Sequence, residues 1–382
     1  MTKGFISFRN GRIPFVIEDY RMELFTDDDL LKDFCKDYNF KKNYILEGQC
    51  FNYGGKAQKS TFLVEHSTGS TCYLRCYIVY MVSNNNGYDK VGFQSPFLDD
   101  IFKYRYNYLD IIRAGINLSV TPNDVYELSF SMDNKRYHSI YRIGYDNRLG
   151  LLEDFDRKGE LIVPVHSDDI LECYNLLTVL SRFAMFMTSQ AQVQFKRITL
   201  YKGDWKAGWF YCPLVSETAI SGIDMIFYEL DVLKYVPKIL NNIALDSGNK
   251  ITKSVPLGHL ENGSVAFSPQ RFVEQIMAFE YLFDKLEPQK AQNKNFPLKK
   301  ELELMFDRFP QSLSGTTVSA GKASEQIKEL RRTIAHGYAY YYDFKNDTDA
   351  QYLVLLMDKL IKNMSLLWIG FTDHEIEEYP VY

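Results

Sequence analysis

Apolar residues recur at two different periods along the chain, and the change of period near residue 260 divides it. Before that point, short β-branched and aromatic runs alternate with turn chemistry. Phe5–Phe8 and Ile13–Ile17 flank Arg9-Asn10-Gly11-Arg12, where an Asn-Gly pair suits the positive φ angles of a tight hairpin. Thr61–Glu65 and Thr71–Val82 flank His66–Ser70, Val125–Met132 and Arg136–Gly144 flank Asp133-Asn134, and Gln192–Tyr201 and Trp209–Val215 flank Lys202–Trp205. This spacing predicts antiparallel sheets forming a sandwich or barrel-like body over residues 1–260, either as one domain or as two divided at 145–165. Two helices interrupt the pattern. Thr26–Asp29 caps one that runs through Tyr38, and 168–190 is long and apolar at helical spacing.

From Ser268 the period becomes helical. Ser268-Pro269 is an N-cap followed by proline at the first helical position, and Phe272, Ile276, Phe279 and Phe283 form an apolar stripe. Pro297 opens a second helix through Phe309, with Leu298, Leu302, Met305 and Phe306 inward, and Pro310–Thr317 is a polar loop. A third helix carries Ala323, Ile327, Leu330 and Ile334 and stops at Gly337. Thr348 or Asp349 caps a fourth, with Leu353, Leu356, Leu360, Met364 and Leu367. The expected fold class is α+β: a β-rich region followed by an all-α four-helix bundle over 265–382.

Composition narrows the function classes. The chain has 382 residues and a formal net charge of −5, so any contact with a polyanion depends on a local basic patch. The bundle repeats this balance, with 14 Lys+Arg against 17 Asp+Glu from residue 265. The 28 Tyr and 27 Phe favour sheets and large packed surfaces. Six scattered Cys, with no CxxC pair and no zinc spacing, read as reduced and mostly buried thiols. No stretch reads as a membrane span and the amino terminus lacks secretory-signal features, so a cytoplasmic location without membrane contact is expected.

One segment carries chemistry: Leu330-Arg331-Arg332-Thr333-Ile334-Ala335-His336-Gly337, at the end of the third bundle helix. Metal-independent RNA cleavage proceeds by attack of a 2′-OH on the adjacent phosphate. A histidine titrating near neutrality can move the protons, and an arginine can stabilise the charge on the phosphorane. Five helical steps turn roughly 500° and rise about 7.5 Å, so one ideal helix cannot aim Arg331 and His336 at one phosphate. Either the helix distorts at Gly337, or two copies bring their third helices together across a two-fold axis.

The segment, in a carboxy-terminal bundle behind a β-rich region, resembles the arginine–histidine signature of HEPN ribonucleases, and the Apea-like HEPN group in particular. The resemblance is best over residues 268–372 and rests on architecture before 260. It implies a metal-independent endoribonuclease that forms 2′,3′-cyclic phosphate ends on RNA, tRNA included. It implies a homodimer with catalytic Arg331 and His336, no cofactor and no metal. It further implies an antiphage abortive-infection setting, with a phage-derived trigger or an inhibitory partner acting through the β-rich sensor region. HEPN sequences often carry Asn, Asp or His directly after the motif arginine; here Arg332 stands there, sharing a helix face with His336 and able to bind phosphate. Tyr338 is the second candidate substrate contact, by stacking on unpaired bases, and Tyr340–Tyr342 extend the same aromatic run, with core packing and dimer contact the alternative for all four. The competing class is an inactive HEPN module for dimerisation or partner binding.

Other motifs explain themselves structurally. His374–Glu378 lacks the second histidine of a zinc-protease motif, and Gly54-Gly55-Lys56 lacks phosphate-loop spacing and reads as a turn. His66, His138, His166 and His259 have no partners detectable by spacing. Glu280 is a candidate orienter of His336, with a solvated face the alternative. Lys196, Arg197, Lys202, Trp205 and Lys206 form a basic–aromatic patch able to guide RNA, or simply an exposed hairpin.

Overall fold

A computed structural model gives the architecture, describing residues 1–38, 41–52, 54–81, 87–103, 125–146, 156–188, 193–215, 235–246, 260–261, 264–265, 267–293, 296–336, 344 and 346–378. The chain is α+β. It divides into a β-rich unit and a helical unit.

The β-rich unit takes in Met1–Phe130, Lys135–Leu180 and Val193–Ile223. Its elements are β1 (Thr2–Phe8), β2 (Gly11–Glu18), β3 (Arg21–Leu24), α1 (Asp28–Tyr38), β4 (Tyr44–Phe51), β5 (Ala57–Thr68), β6 (Thr71–Tyr80), β7 (Lys90–Gln94) and α2 (Pro96–Lys103). They continue with β8 (Val125–Met132), β9 (Lys135–Asp146), β10 (Asp156–Pro164), α3 (Ile170–Thr188), β11 (Arg197–Lys202) and β12 (Trp205–Tyr211). The strands form one antiparallel sheet in the order β3-β2-β1-β4-β5-β6-β12-β11-β7-β10-β9-β8. A further pairing of Arg21, Met22 and Glu23 with Tyr73, Cys72 and Thr71 joins β3 to β6 and closes the first six strands into a barrel. β6 then changes partner: its last residues, Tyr77–Tyr80, pair with β12 and carry the sheet outward.

Alternation builds the barrel core. Ile6, Phe8, Ile13, Phe15, Ile17 and Met22 point inward at every second position, and α1 adds Phe34. Phe15 meets Phe62 edge to face at 5.2 Å. Gly4 is required by the closeness of β1 and β4, since a Cβ there would lie 2.0 Å from the Gln49 carbonyl oxygen. The hairpin at Asp133-Asn134 forms as expected, both residues having positive φ. The first hairpin differs: its loop is Arg9-Asn10, Arg9 takes the positive φ of 51°, and Gly11 already belongs to β2. Arg9 is held there by Asp33 and Asp37 of α1.

The helical unit takes in Asp224–Tyr382 together with Ser131–Asn134 and Ser181–Gln192, so it includes chain well before residue 265. Its first described helix, α4 (Val236–Leu245), lies in a stretch expected to be β-rich. Val236, Ile239, Leu240 and Ile243 are buried at helical spacing, Tyr235 stacks on Phe371 at 4.2 Å, and Asn242 donates to the Trp368 carbonyl at 3.1 Å. A short ladder, β13 (Leu260–Glu261) with β14 (Ser264–Val265), precedes α5 (Pro269–Leu286), α6 (Pro288–Ala291), α7 (Leu298–Arg308), α8 (Ala320–Ala335), α9 (Thr348–Trp368) and α10 (Asp373–Glu378).

The four long helices α5, α7, α8 and α9 occupy the four expected spans and share an apolar core that includes Phe272, Phe279, Leu302, Phe306, Ile327 and Leu360. Two polar ties pin them. Arg271 donates to Asp358 at 2.9 Å across α5 and α9, and Gln275 reaches the same carboxylate and the Val354 carbonyl. Burial pushes Asp358 up to about 6 despite Arg271. The Pro310–Thr317 loop contains a 3₁₀ turn whose buried Ser312 accepts from Asn363 of α9 at 2.8 Å.

Two sequence expectations are corrected or extended here. Ile170–Met187, within α3, is long and apolar enough to cross a membrane by length and composition, and 67% of that window is buried inside the fold. The six cysteines are free thiols, five buried and Cys35 half-buried, as expected.

Candidate functional site

α8 is set by its own sequence. Ser319 caps it by accepting from the Lys322 N–H, and Ala323, Ile327, Leu330 and Ile334 turn one face into the core. The opposite face therefore carries Arg331 and Arg332 into solvent. Their side chains are 48% and 66% exposed. His336 is the C-cap. Its backbone N–H bonds back to the Arg332 carbonyl at 3.1 Å, while its side chain is exposed and has no hydrogen-bond or ion-pair partner among the described residues. Tyr338, Gly337 and Tyr340–Tyr342 lie outside the described residues.

Both arginines are engaged by carboxylates. Arg331 donates from Nη2 to Glu280 Oε1 on α5 at 3.0 Å, and Arg332 pairs with Glu329 one turn earlier at 2.7 Å. Glu280 thus orients Arg331, not His336. No contact joins Arg331 to His336 among the described residues. The fold brings both to the solvent-facing side of one helix end and stops there.

A further carboxylate was not singled out from sequence. Glu301 of α7 is half-buried, and burial pushes it up to about 7, with Glu280 and Asp284 adding to the rise and Arg331 opposing it. The i, i+4 pair Glu280/Asp284 was visible in the sequence of α5. The approach of α7 that adds Glu301 depends on tertiary packing, which no local pattern encodes. Arg331 is thus bonded to Glu280 and attracts Glu301, which Glu280 and Asp284 repel. An incoming phosphate would compete with Glu280 for Arg331.

The remaining motifs behave structurally. Glu375 caps α10 by accepting from the Thr372 N–H at 2.8 Å, and Asn52 Oδ1 accepts from the Gly54 and Lys56 N–H groups in a turn. His138 bonds Ser129 at 2.7 Å, His166 bonds the Arg136 carbonyl at 3.1 Å, and His66 stacks on Tyr73 at 4.5 Å; His259 lies outside the described residues. Among the described residues no group of three or more His, Cys, Asp and Glu is placed to hold a metal ion. Comparison with protein-family models, with curated proteins and with solved structures finds no match to this chain.

Proposed function

We propose that the protein is a metal-independent endoribonuclease whose site is built from Arg331 and His336, with Arg332 and Tyr338 contacting the substrate. The observation that supports it most is the position, at one helix end, of two solvent-facing guanidinium groups and an exposed imidazole with no hydrogen-bond or ion-pair partner among the described residues. In the proposed reaction the 2′-oxygen attacks the adjacent phosphorus as its proton passes to His336. Arg331 balances the charge on the phosphorane oxygens. The phosphorus–O5′ bond breaks as a proton reaches O5′, leaving a 2′,3′-cyclic phosphate and a 5′-hydroxyl. Because Arg331 and His336 point apart on one helix, two copies facing each other in a homodimer would complete the site, as in the HEPN ribonucleases that the segment resembles. On this reading the enzyme is a cytoplasmic antiphage effector, restrained by its β-rich unit or by an inhibitory partner until a phage-derived trigger acts.

The test is incubation of purified protein with total RNA in EDTA. Wild type should degrade it, while Arg331→Ala and His336→Ala should leave it intact. Equal degradation by all three would contradict the assignment.

One observation favours a second reading, an inactive HEPN-type module for partner binding. Glu280 pairs with Arg331 and Glu301 attracts it, and these acids disfavour a polyanion there. Under this reading wild type leaves RNA intact in EDTA, and Glu280→Lys abolishes dimerisation or partner capture.

A further inference from the structure

One face of the β11–β12 hairpin carries cations beside aromatic rings. Alternation puts Arg197, Thr199 and Tyr201 of β11 on one face of the sheet, and the register adds Trp209, opposite Thr199, and Lys206, opposite Tyr201. The Arg197 guanidinium lies 5.0 Å from the centre of the Trp209 ring, and the Lys206 ammonium 5.8 Å from the same ring. Neither cation has an ion-pair partner within 4 Å among the described residues. Tyr211, next along β12 on this face, stacks on Tyr77 at 4.9 Å and stays partly exposed. At the hairpin tip Trp205 is 82% exposed, far more than a folded chain normally leaves an indole.

Two of the acids nearby are engaged elsewhere, while Glu160 attracts both Arg197 and Lys206. Asp204 is paired with Lys90, and Asp89 accepts from the Gly203 N–H and faces Lys202. Glu160 of β10 is largely buried, with Oε2 accepting from the Tyr201 hydroxyl at 2.8 Å, and Gly92 of β7 leaves the room it occupies: a Cβ there would lie 2.3 Å from Oε1. Oε1 is buried, with no hydrogen-bond donor among the described residues. Burial raises Glu160 against the pull of Tyr201, Arg197 and Lys206.

From this arrangement we infer that the face formed by Arg197, Lys206, Trp209 and Trp205 binds single-stranded RNA. Trp205 and Trp209 are the stacking platforms, and the two cations take phosphates. Every nucleotide presents a flat π-face and an anionic linker, and a cation–aromatic alternation matches both without reading sequence. Duplex nucleic acid hides its bases and fits such a face poorly. The choice of RNA over other single strands rests on the ribonuclease reading.

The experiment uses the full chain carrying His336→Ala, so that RNA is not consumed, with a fluorescein-labelled oligouridine followed by anisotropy over a range of salt. Trp209→Ala and the Arg197→Ala/Lys206→Ala pair should each weaken binding about tenfold or more, and the pair should also flatten the salt dependence by about one unit of slope. Trp205→Ala, in which an exposed side chain is removed without disturbing the core, should weaken it as well. Unchanged affinity in all three overturns the inference, as does binding of anionic vesicles in preference to the oligonucleotide. Binding lost in these variants, but with no EDTA-resistant cleavage by wild type, sustains this surface and defeats the nuclease. Cleavage that survives all three substitutions does the reverse.

Discussion

Arg331 is held by a carboxylate that any phosphate must displace. The Arg331–Glu280 pair is half-exposed at both ends, so it contributes no more than about 1 kcal/mol to stability. Glu280→Gln should therefore leave thermal unfolding almost unchanged while raising RNA cleavage, because Arg331 is released; a fall in cleavage would show that Glu280 positions Arg331 productively. Glu301 gives the same locality a pH dependence. Its folded-state pKa, about 7, stands above the ordinary carboxylate value, so its contribution to stability is complete below about pH 4.5 and is lost as pH rises through 7. Glu301→Gln should gain stability over wild type at pH 8 and show little difference at pH 4.5, in paired melting curves. Glu172 behaves oppositely. Burial would raise it, yet the His166 N–H, the Ser167 and Tyr137 hydroxyls and Lys135 hold it at about 2. Its contribution is present above about pH 4.5 and is lost as pH falls towards 2.

Among the elements, the helices were the most legible in the sequence. Apolar stripes at 3.6-residue spacing place α5, α7, α8 and α9, and Ser268 caps α5 by accepting from Arg271 as its sequence suggests. Ends are less legible, because a cap is decided by one hydrogen bond. The cap of α9 is Asp347, which accepts from the Ala350 N–H at 3.0 Å, in place of Thr348 or Asp349. Asp347→Ala should cost about 1 kcal/mol in denaturant unfolding, and Asp349→Ala far less. α4 was missed because Val236, Ile239 and Ile243 are β-branched and the segment spans fewer than three turns. Its apolar period decides only once Trp368 and Phe371 supply a surface to pack on. The closure of β3 onto β6 was illegible for a related reason: alternation shows which face of a strand is buried but not which distant strand it pairs with. The same limit hid Glu301 beside Glu280, since α5 and α7 are neighbours only in the folded unit.

The whole molecule joins an antiparallel β unit, barrel-closed at its start, to a helical unit that carries the Arg331–His336 segment. The net charge of −5 makes nucleic-acid contact depend on local cations, and the candidates are the exposed Arg331 and Arg332 in one unit and the half-buried Arg197 with the exposed Lys206 in the other. A site shared between two copies has its own signature. Mixing Arg331→Ala with His336→Ala protein, each inactive, should restore part of the cleavage through mixed dimers, and no restoration would argue for a site within one chain. The central claim concerns bond chemistry, and the ends of the products report it most directly. One defined RNA cut in EDTA should yield 5′-hydroxyl and 2′,3′-cyclic phosphate termini, with neither formed by the His336→Ala protein. Termini bearing a 5′-phosphate, or the same cuts from His336→Ala, would contradict it.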